Sequence, residues 1–285
     1  MIKSRKVWVG LGAAVLVGTG IGTEATAQPL TRGIEQAAPG DASARQDLVL
    51  RVAGSHAGHA AAGEGEGEGG GAELAPDLRL TRDLALISGH LAVGNELVEA
   101  GRWSEATVHF LHPAEELYGD IAGDLKSFGI PPFSAALKAL AQTVKAKKKD
   151  AYEGALKTVR ERLAAADAAV KAKTADWPGL TLEAVLEVLN TAGEEYEAAI
   201  ENGKFKLVVE YQDSRGFVLQ AEKMLAAVAP DLEKKNAEAY AALQHEIAEL
   251  KKAWPSVTAP KKPVLDVSQV LGHIARAEIE IGKLM

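Results

Sequence analysis

The fold is decided by residues 180–220, LTLEAVLEVLNTAGEEYEAAIENGKFKLVVEYQDSRGFVLQ. Apolar residues recur at helical spacing on both sides of Asn202-Gly203, so the stretch predicts two helices joined by a turn. Thr181 is the expected cap of the first helix. Because the connection is short, the two helices are expected to lie antiparallel.

The chain from residue 78 onward predicts an all-α fold. Its periodicity is helical almost throughout, and no run is typical of a strand. The pattern gives about eight helices of roughly twenty residues each. Short connections then predict up-and-down antiparallel bundles. The Trp-Pro-Gly break at residues 177–179 divides the helices into two four-helix halves, residues 78–176 and 177–285.

Residues 1–27 are a predicted signal peptide. Lys3, Arg5 and Lys6 precede the short apolar stretch Val7–Ile21, and a small-x-small cleavage signal ends at Ala27. The alternative is a membrane anchor, which needs about 20 apolar residues. We therefore expect a periplasmic or secreted protein that is cleaved near Ala27.

Composition narrows the possible partners. The absence of cysteine excludes disulfides and a lipoprotein anchor, so the domain must rely on its hydrophobic core. Loss of the signal peptide would change the net charge from −7 to −9. An acidic surface argues against nucleic acid and anionic lipid as partners, and it fits a protein that handles cations.

Residues 28–77 are predicted to be a disordered linker containing Gly, Glu and His. Such a composition buries too little apolar surface to offset chain entropy. His56 and His59, followed by three glutamates, could loosely capture a divalent ion. The alternative is a solvated spacer.

The strongest candidate metal site lies in the second predicted helix. His109, His112 and Glu116 share one face of that helix, and such a face can meet a neighbouring helix. His90, in the first helix, lies about eleven residues before the turn at Gly101, and His112 lies about eleven after it. At about 1.5 Å rise per residue the two reach similar heights. The alternative is that these histidines are boundary residues satisfied by water or backbone.

The hairpin region also resembles a known family. It resembles the extracytoplasmic helical domain of bacterial FTR1-type iron permeases, which carries a [DE]-Tyr-x-x-Ala-[Val/Ile]-x-x-Gly-Lys run followed by Glu-Tyr and an aromatic residue. The residues that carry the likeness are Glu195-Tyr196, Ala199-Ile200, Gly203-Lys204, Glu210-Tyr211 and Phe217. The resemblance implies handling of metal ions, iron above all, outside the cytoplasm. The chain lacks the Arg-Glu-Gly-Leu-Glu motif and any permease segment, so only a binding role carries over.

The resemblance implies a second ligand group. Glu195 and Tyr196 end one helix and Glu210 and Tyr211 begin the next, so the turn brings the pairs to similar heights. Carboxylate and phenol oxygens are hard donors that suit ferric iron. The alternative is a packing cluster in which the tyrosine hydroxyls bond to the backbone.

A weaker likeness is to imelysin-like two-bundle periplasmic iron-uptake proteins, whose signature is Gly-x-His-x-x-Glu. Gly89 stands one position too close to His90, and the acid follows only at Glu96, so the signature is not met. This likeness therefore implies only the two-bundle architecture for the present chain.

Enzyme signatures are absent from the sequence. Glu249 stands where a zincin would need its second histidine after His245, and there is no nucleophile elbow or phosphate loop. We therefore expect a non-catalytic periplasmic protein that binds a transition-metal ion, most simply iron, for uptake or homeostasis. A membrane permease or outer-membrane receptor is the expected partner. The alternatives are a helical interaction module for such a transporter or receptor and, further away, a metallopeptidase.

Overall fold

The computed structural model describes residues 74–285. The predicted signal peptide, and the predicted linker as far as residue 73 with His56 and His59, lie outside the described residues. Within them the fold is all-α, as predicted. None of the described helices is both long enough and apolar enough to span a bilayer.

The described chain contains nine α-helical segments. They are α1 (Pro76–Glu99), α2 (Trp103–His112), α3 (Tyr118–Ser127), α4 (Ser134–Lys145), α5 (Lys149–Lys171), α6 (Trp177–Ala198), α7 (Val208–Ala227), α8 (Ala229–Leu250) and α9 (Val267–Leu284). A π-helical turn, Pro113–Leu117, joins α2 to α3, and a 3₁₀ turn, Lys251–Ala253, follows α8. Counted across the π turn, α2 and α3 make one long helix, which corresponds to the second predicted helix.

One prediction at the start of α6 was wrong, because Thr181 does not cap the helix. The Trp-Pro-Gly stretch forms the first turn of α6. The Asp176 carboxylate accepts a hydrogen bond from the Gly179 amide at 3.0 Å and so caps α6. Pro178 fits there because the first amides of a helix have no partner within the helix.

The prediction of no strand was also wrong at one place. The turn between α6 and α7 is a β-hairpin of two short strands, β1 (Ile200–Glu201) and β2 (Lys204–Phe205), paired antiparallel. Asn202 and Gly203 both have positive φ, 52° and 68°, as a two-residue type I′ turn requires. Helices α6 and α7 are still antiparallel, because a β-hairpin reverses the direction of the chain as a turn between two helices would.

The π turn has a local cause in the sequence. Pro113 has no amide hydrogen, so the carbonyl of His109 loses its usual partner four residues on. The helix widens over Pro113–Leu117 and then resumes. Single π turns occur often at functional sites, and this one follows directly after His109 and His112.

Helix α1 contributes to two hydrophobic clusters. One is built mainly from α1 to α5, and the other is built from α6 to α9 with Ala85 and Leu86 of α1. Because apolar residues cover much of its circumference, α1 is buried between its neighbours. The division into two four-helix halves remains a prediction.

The backbones of α1 and α7 approach each other at two glycines. A Cβ on Gly216 would overlap the carbonyl oxygen of Gly89, and a Cβ on Gly89 would stand 2.7 Å from Phe217 Cδ1. No other residue fits at either position without displacing a helix. This crossing lies directly beside His90 in α1 and one turn from Asp213 in α7.

We predict that Gly216→Ala lowers the free energy of unfolding by about 1–3 kcal/mol, because the added methyl group separates α1 from α7. Gly154→Ala is the matched control, since a Cβ at Gly154 in α5 meets nothing within 4 Å. Alanine should stabilise that helix by about 0.5–1 kcal/mol. Urea unfolding of both variants measures the difference between their free energies of unfolding. Equal unfolding midpoints for Gly216→Ala and Gly154→Ala would contradict the close approach of α1 and α7.

Candidate metal site

A buried carboxylate lies between imidazoles from two other helices. Asp213 Oδ1 in α7 is 2.7 Å from His90 Nδ1 in α1 and 2.7 Å from His109 Nδ1 in α2. One ligand atom from each of the three residues lies within 4.8 Å of the others. All three side chains are buried, and His109 is completely so. We call His90, His109 and Asp213 the buried triad.

His112 completes the group on its more exposed side. Its Nδ1 lies 3.5 Å from Asp213 Oδ2, and its ring meets that of His90 edge-on with centroids 5.4 Å apart. Its side chain is 27% exposed, so it lies between the buried triad and solvent. The structure therefore brings together the three histidines that the sequence analysis selected, at the similar heights expected for His90 and His112.

The glycine crossing explains why a carboxylate can lie here. Asp213 is one helical turn before Gly216 and one turn before Phe217, whose ring packs edge-on against His90 with centroids 5.0 Å apart. The close approach of α1 and α7 helps the short aspartate side chain to reach His90 on the neighbouring helix. Helix α2 supplies His109 from the other side.

The electrostatics of the group favour an ionised carboxylate. Burial by itself would raise the pKa of Asp213, but the neighbouring His90 and the hydrogen bonds with all three imidazoles outweigh it and hold the pKa well below its usual range. Burial likewise opposes a charge on His112. The hydrogen bond and charge of Asp213, helped by Glu116 and Glu195, nevertheless raise the pKa of that ring.

The predicted acidic ligands lie around the buried triad without joining it. Glu116, in the π turn, is exposed, and its charge acts on His112. Glu195, at the end of α6, is half-buried. Burial, with the charges of Asp213 and Glu210, raises its pKa to about 8. Both carboxyl groups lie on the side of His112, and that of Glu195 stays largely protonated below about pH 8.

The predicted tyrosine ligands are engaged elsewhere. The Tyr196 hydroxyl donates to the Leu265 carbonyl at 2.7 Å, and the Tyr211 hydroxyl donates to the Ser256 carbonyl, also at 2.7 Å. Both rings are buried and pack edge-on against Phe205 of the hairpin. The structure does not bring them to the buried triad, and their contacts are those of the packing alternative.

Sequence reasoning left Asp213 and Gln212 out of the candidate site. A signal for Asp213 was present, because an acid four residues before the core aromatic Phe217 shares its face of the helix. Gln212 Oε1 lies 2.9 Å from His109 Nε2, and its Nε2 donates to the Val257 carbonyl at 3.1 Å. Nothing in the sequence pattern marks that contact.

The donor set fits a transition-metal ion. Metal–nitrogen and metal–oxygen bonds of about 2.1 Å hold neighbouring ligand atoms about 3.0–3.4 Å apart. The ligand atoms of the buried triad lie within 4.8 Å of one another, and an ion would take the place of the two 2.7 Å hydrogen bonds. Imidazole nitrogens with one carboxylate are donors that suit zinc, copper, nickel and iron.

With the geometry known, part of the chain can be compared with known families. Residues 171–285 match the iron permease-associated 4-helix bundle domain. The match confirms the resemblance inferred from residues 195–217, and it spans α6, α7, α8 and α9. Neither the curated proteins nor the solved structures contain a match to this chain. The matched region supplies Asp213 and Gln212, whereas the three histidines come from helices that precede it.

We predict that Glu195 makes the metal-free protein less stable as the pH rises. Its folded pKa of about 8 lies above the value near 4.3 of an unfolded glutamate, so the folded state binds more protons between these values. The stabilisation that the protonated Glu195 carboxyl contributes is fully present below about pH 4 and is lost as the pH rises through 8. The free energy of unfolding of Glu195→Gln should therefore rise by about 2 kcal/mol relative to that of the wild type between pH 5 and pH 9. This figure is discounted for the partial exposure of the carboxyl.

Chemical unfolding in the presence of a chelator, at a series of pH values, measures this difference. Glu197→Gln is the control, because Glu197 is an exposed residue of the same helix. Its stability curve should run parallel to that of the wild type. A parallel curve for Glu195→Gln as well would contradict the assigned burial of that carboxyl.

Proposed function

We propose that this protein binds a transition-metal ion at the buried triad, with His112 as a further ligand, in the service of iron uptake. One observation carries the proposal: two buried imidazoles from different helices point a ring nitrogen at the same buried carboxylate. A buried ionised carboxylate is costly unless it is paired, and a shared cation would compensate it fully.

The chemistry of the ligands favours a divalent ion. Imidazole is a borderline donor, whereas ferric iron prefers oxygen donors such as carboxylate and phenolate. The two tyrosine hydroxyls that would supply phenolate are bonded to backbone carbonyls. For an iron protein, this ligand set therefore favours ferrous iron. Copper and zinc are the natural competitors, because the affinity of nitrogen sites for divalent ions rises towards copper.

The sequence and the family match both support a cellular setting for this role. The N-terminal pattern of basic, apolar and small residues supports export to the periplasm or the outside, with cleavage near Ala27. The match to an iron permease-associated domain supports a membrane iron permease as the partner. In this role the protein binds its ion without catalysing a reaction.

Calorimetric titration of the metal-free protein tests the proposal. We predict a dissociation constant for ferrous iron, measured without oxygen, in the micromolar range or below. Asp213→Asn should weaken binding by at least about 100-fold, more than the loss of a residue that only orients a ligand. The substitution keeps the size of the side chain and removes its charge. Zn²⁺, Cu²⁺, Mn²⁺ and Fe³⁺ titrated in parallel give the order of preference.

His273→Ala is the matched control. His273 also contacts a carboxylate, with its Nδ1 2.8 Å from Glu246 Oε2, but it lies in α9 and outside the buried triad. This variant should bind as the wild type does. Absence of binding with every metal would overturn the proposal and favour the alternative of a helical interaction module. If His273→Ala and Asp213→Asn lost the same amount of affinity for the metal ion, the ion would bind outside the buried triad.

A further inference from the structure

A chain of buried hydrogen bonds extends from the buried triad to the loop after α8. The Gln212 amide nitrogen donates to the Val257 carbonyl, Gln212 Oε1 faces His109 Nε2, and His109 Nδ1 faces Asp213 Oδ1. The side chains of Gln212, His109 and Asp213 are all buried. The geometry of this chain determines which ring nitrogen of His109 keeps its hydrogen when a metal ion occupies the buried triad.

The backbone carbonyl sets the direction of the chain. A carbonyl oxygen can only accept, so the atom of Gln212 that faces Val257 must be the amide nitrogen. The other end of the amide is therefore its oxygen, which can also only accept. His109 Nε2, at 2.9 Å from that oxygen, must then carry a hydrogen and donate it.

Each ring nitrogen of His109 faces an acceptor oxygen, Asp213 Oδ1 at Nδ1 and Gln212 Oε1 at Nε2. A metal ion at the buried triad would displace the hydrogen bond to Asp213 and take the lone pair of Nδ1. The remaining ring hydrogen would then lie on Nε2, where Gln212 accepts it. Histidine ligands of metals commonly donate their second ring N–H in this way, which fixes both the tautomer and the ring orientation.

We propose that Gln212 is a positioning residue that holds His109 in its Nε2–H tautomer and so presents Nδ1 to the metal ion. This inference rests on the proposed function, because it concerns the same site. Gln212 itself does not touch the ion. Its contribution is to lower the cost of orienting His109, and loss of such a partner typically weakens metal binding about 10–100-fold.

The experiment compares Zn²⁺ affinity among the wild type and three variants. Gln212→Leu keeps the approximate volume but removes the acceptor, and we expect about 10–100-fold weaker binding. Gln212→Glu keeps an acceptor for His109 Nε2 but loses the donor to the Val257 carbonyl, so it should recover only part of the affinity. Gln220→Leu changes a glutamine of the same helix outside the site, and it should bind as the wild type does. Thermal unfolding of each metal-free variant establishes that it is folded.

A second measurement uses the wild type alone and does not depend on any variant folding. Nitrogen-15 NMR of the Zn²⁺-loaded protein, labelled at histidine, distinguishes metal-bound from protonated ring nitrogens. We expect His109 to be metal-bound at Nδ1 and protonated at Nε2. Coordination through Nε2, or unchanged affinity in folded Gln212→Leu, would overturn this inference while leaving the metal site intact. Failure of the wild type and Gln220→Leu to bind any metal would overturn both.

Discussion

The contact between the backbones of Gly89 and Gly216 is the constraint on which the rest of the site depends. It brings α1 and α7 closer than side chains would otherwise permit. Asp213, one turn away on α7, therefore reaches His90 despite the shortness of its side chain. A looser crossing would separate Asp213 from His90 and leave this buried carboxylate with only the two imidazoles of α2, and a buried charge that loses partners is costly. The fold and the candidate site thus share a single steric requirement.

The imidazoles around Asp213 differ in their exposure to solvent. His109 is fully buried and oriented by Gln212, whereas His112 is partly exposed and lies nearer the carboxylates of Glu116 and Glu195. An entering cation would meet His112 first, because it is the most exposed of the three imidazoles. The buried ligands would then replace its water. The burial of the imidazoles therefore supports entry from the side of His112.

Much of the fold could be predicted from the sequence, because helical periodicity and short connections are local properties. The heights of His90 and His112 followed from counting residues outward from the turn at Gly101. The contribution of Asp213 could not be predicted in this way, since it depends on which face of α7 meets α1, and a glycine contact decides that. The hairpin at Asn202 was missed for a different reason: its signal was present but was interpreted as a helical turn. The role of the selected residues as metal ligands remains a prediction.

The boundary of the family match carries a further consequence for how the site is built. Residues 171–285 include Asp213 with the residue that orients its neighbour, but they include none of the three histidines. By itself this region would hold a carboxylate on α7 with no imidazole beside it. Helices α1 and α2, which precede the match, supply the nitrogen donors and cover the carboxylate. The candidate ligands therefore come from the whole described unit, and a four-helix relative that lacks α1 and α2 would not contain all of them.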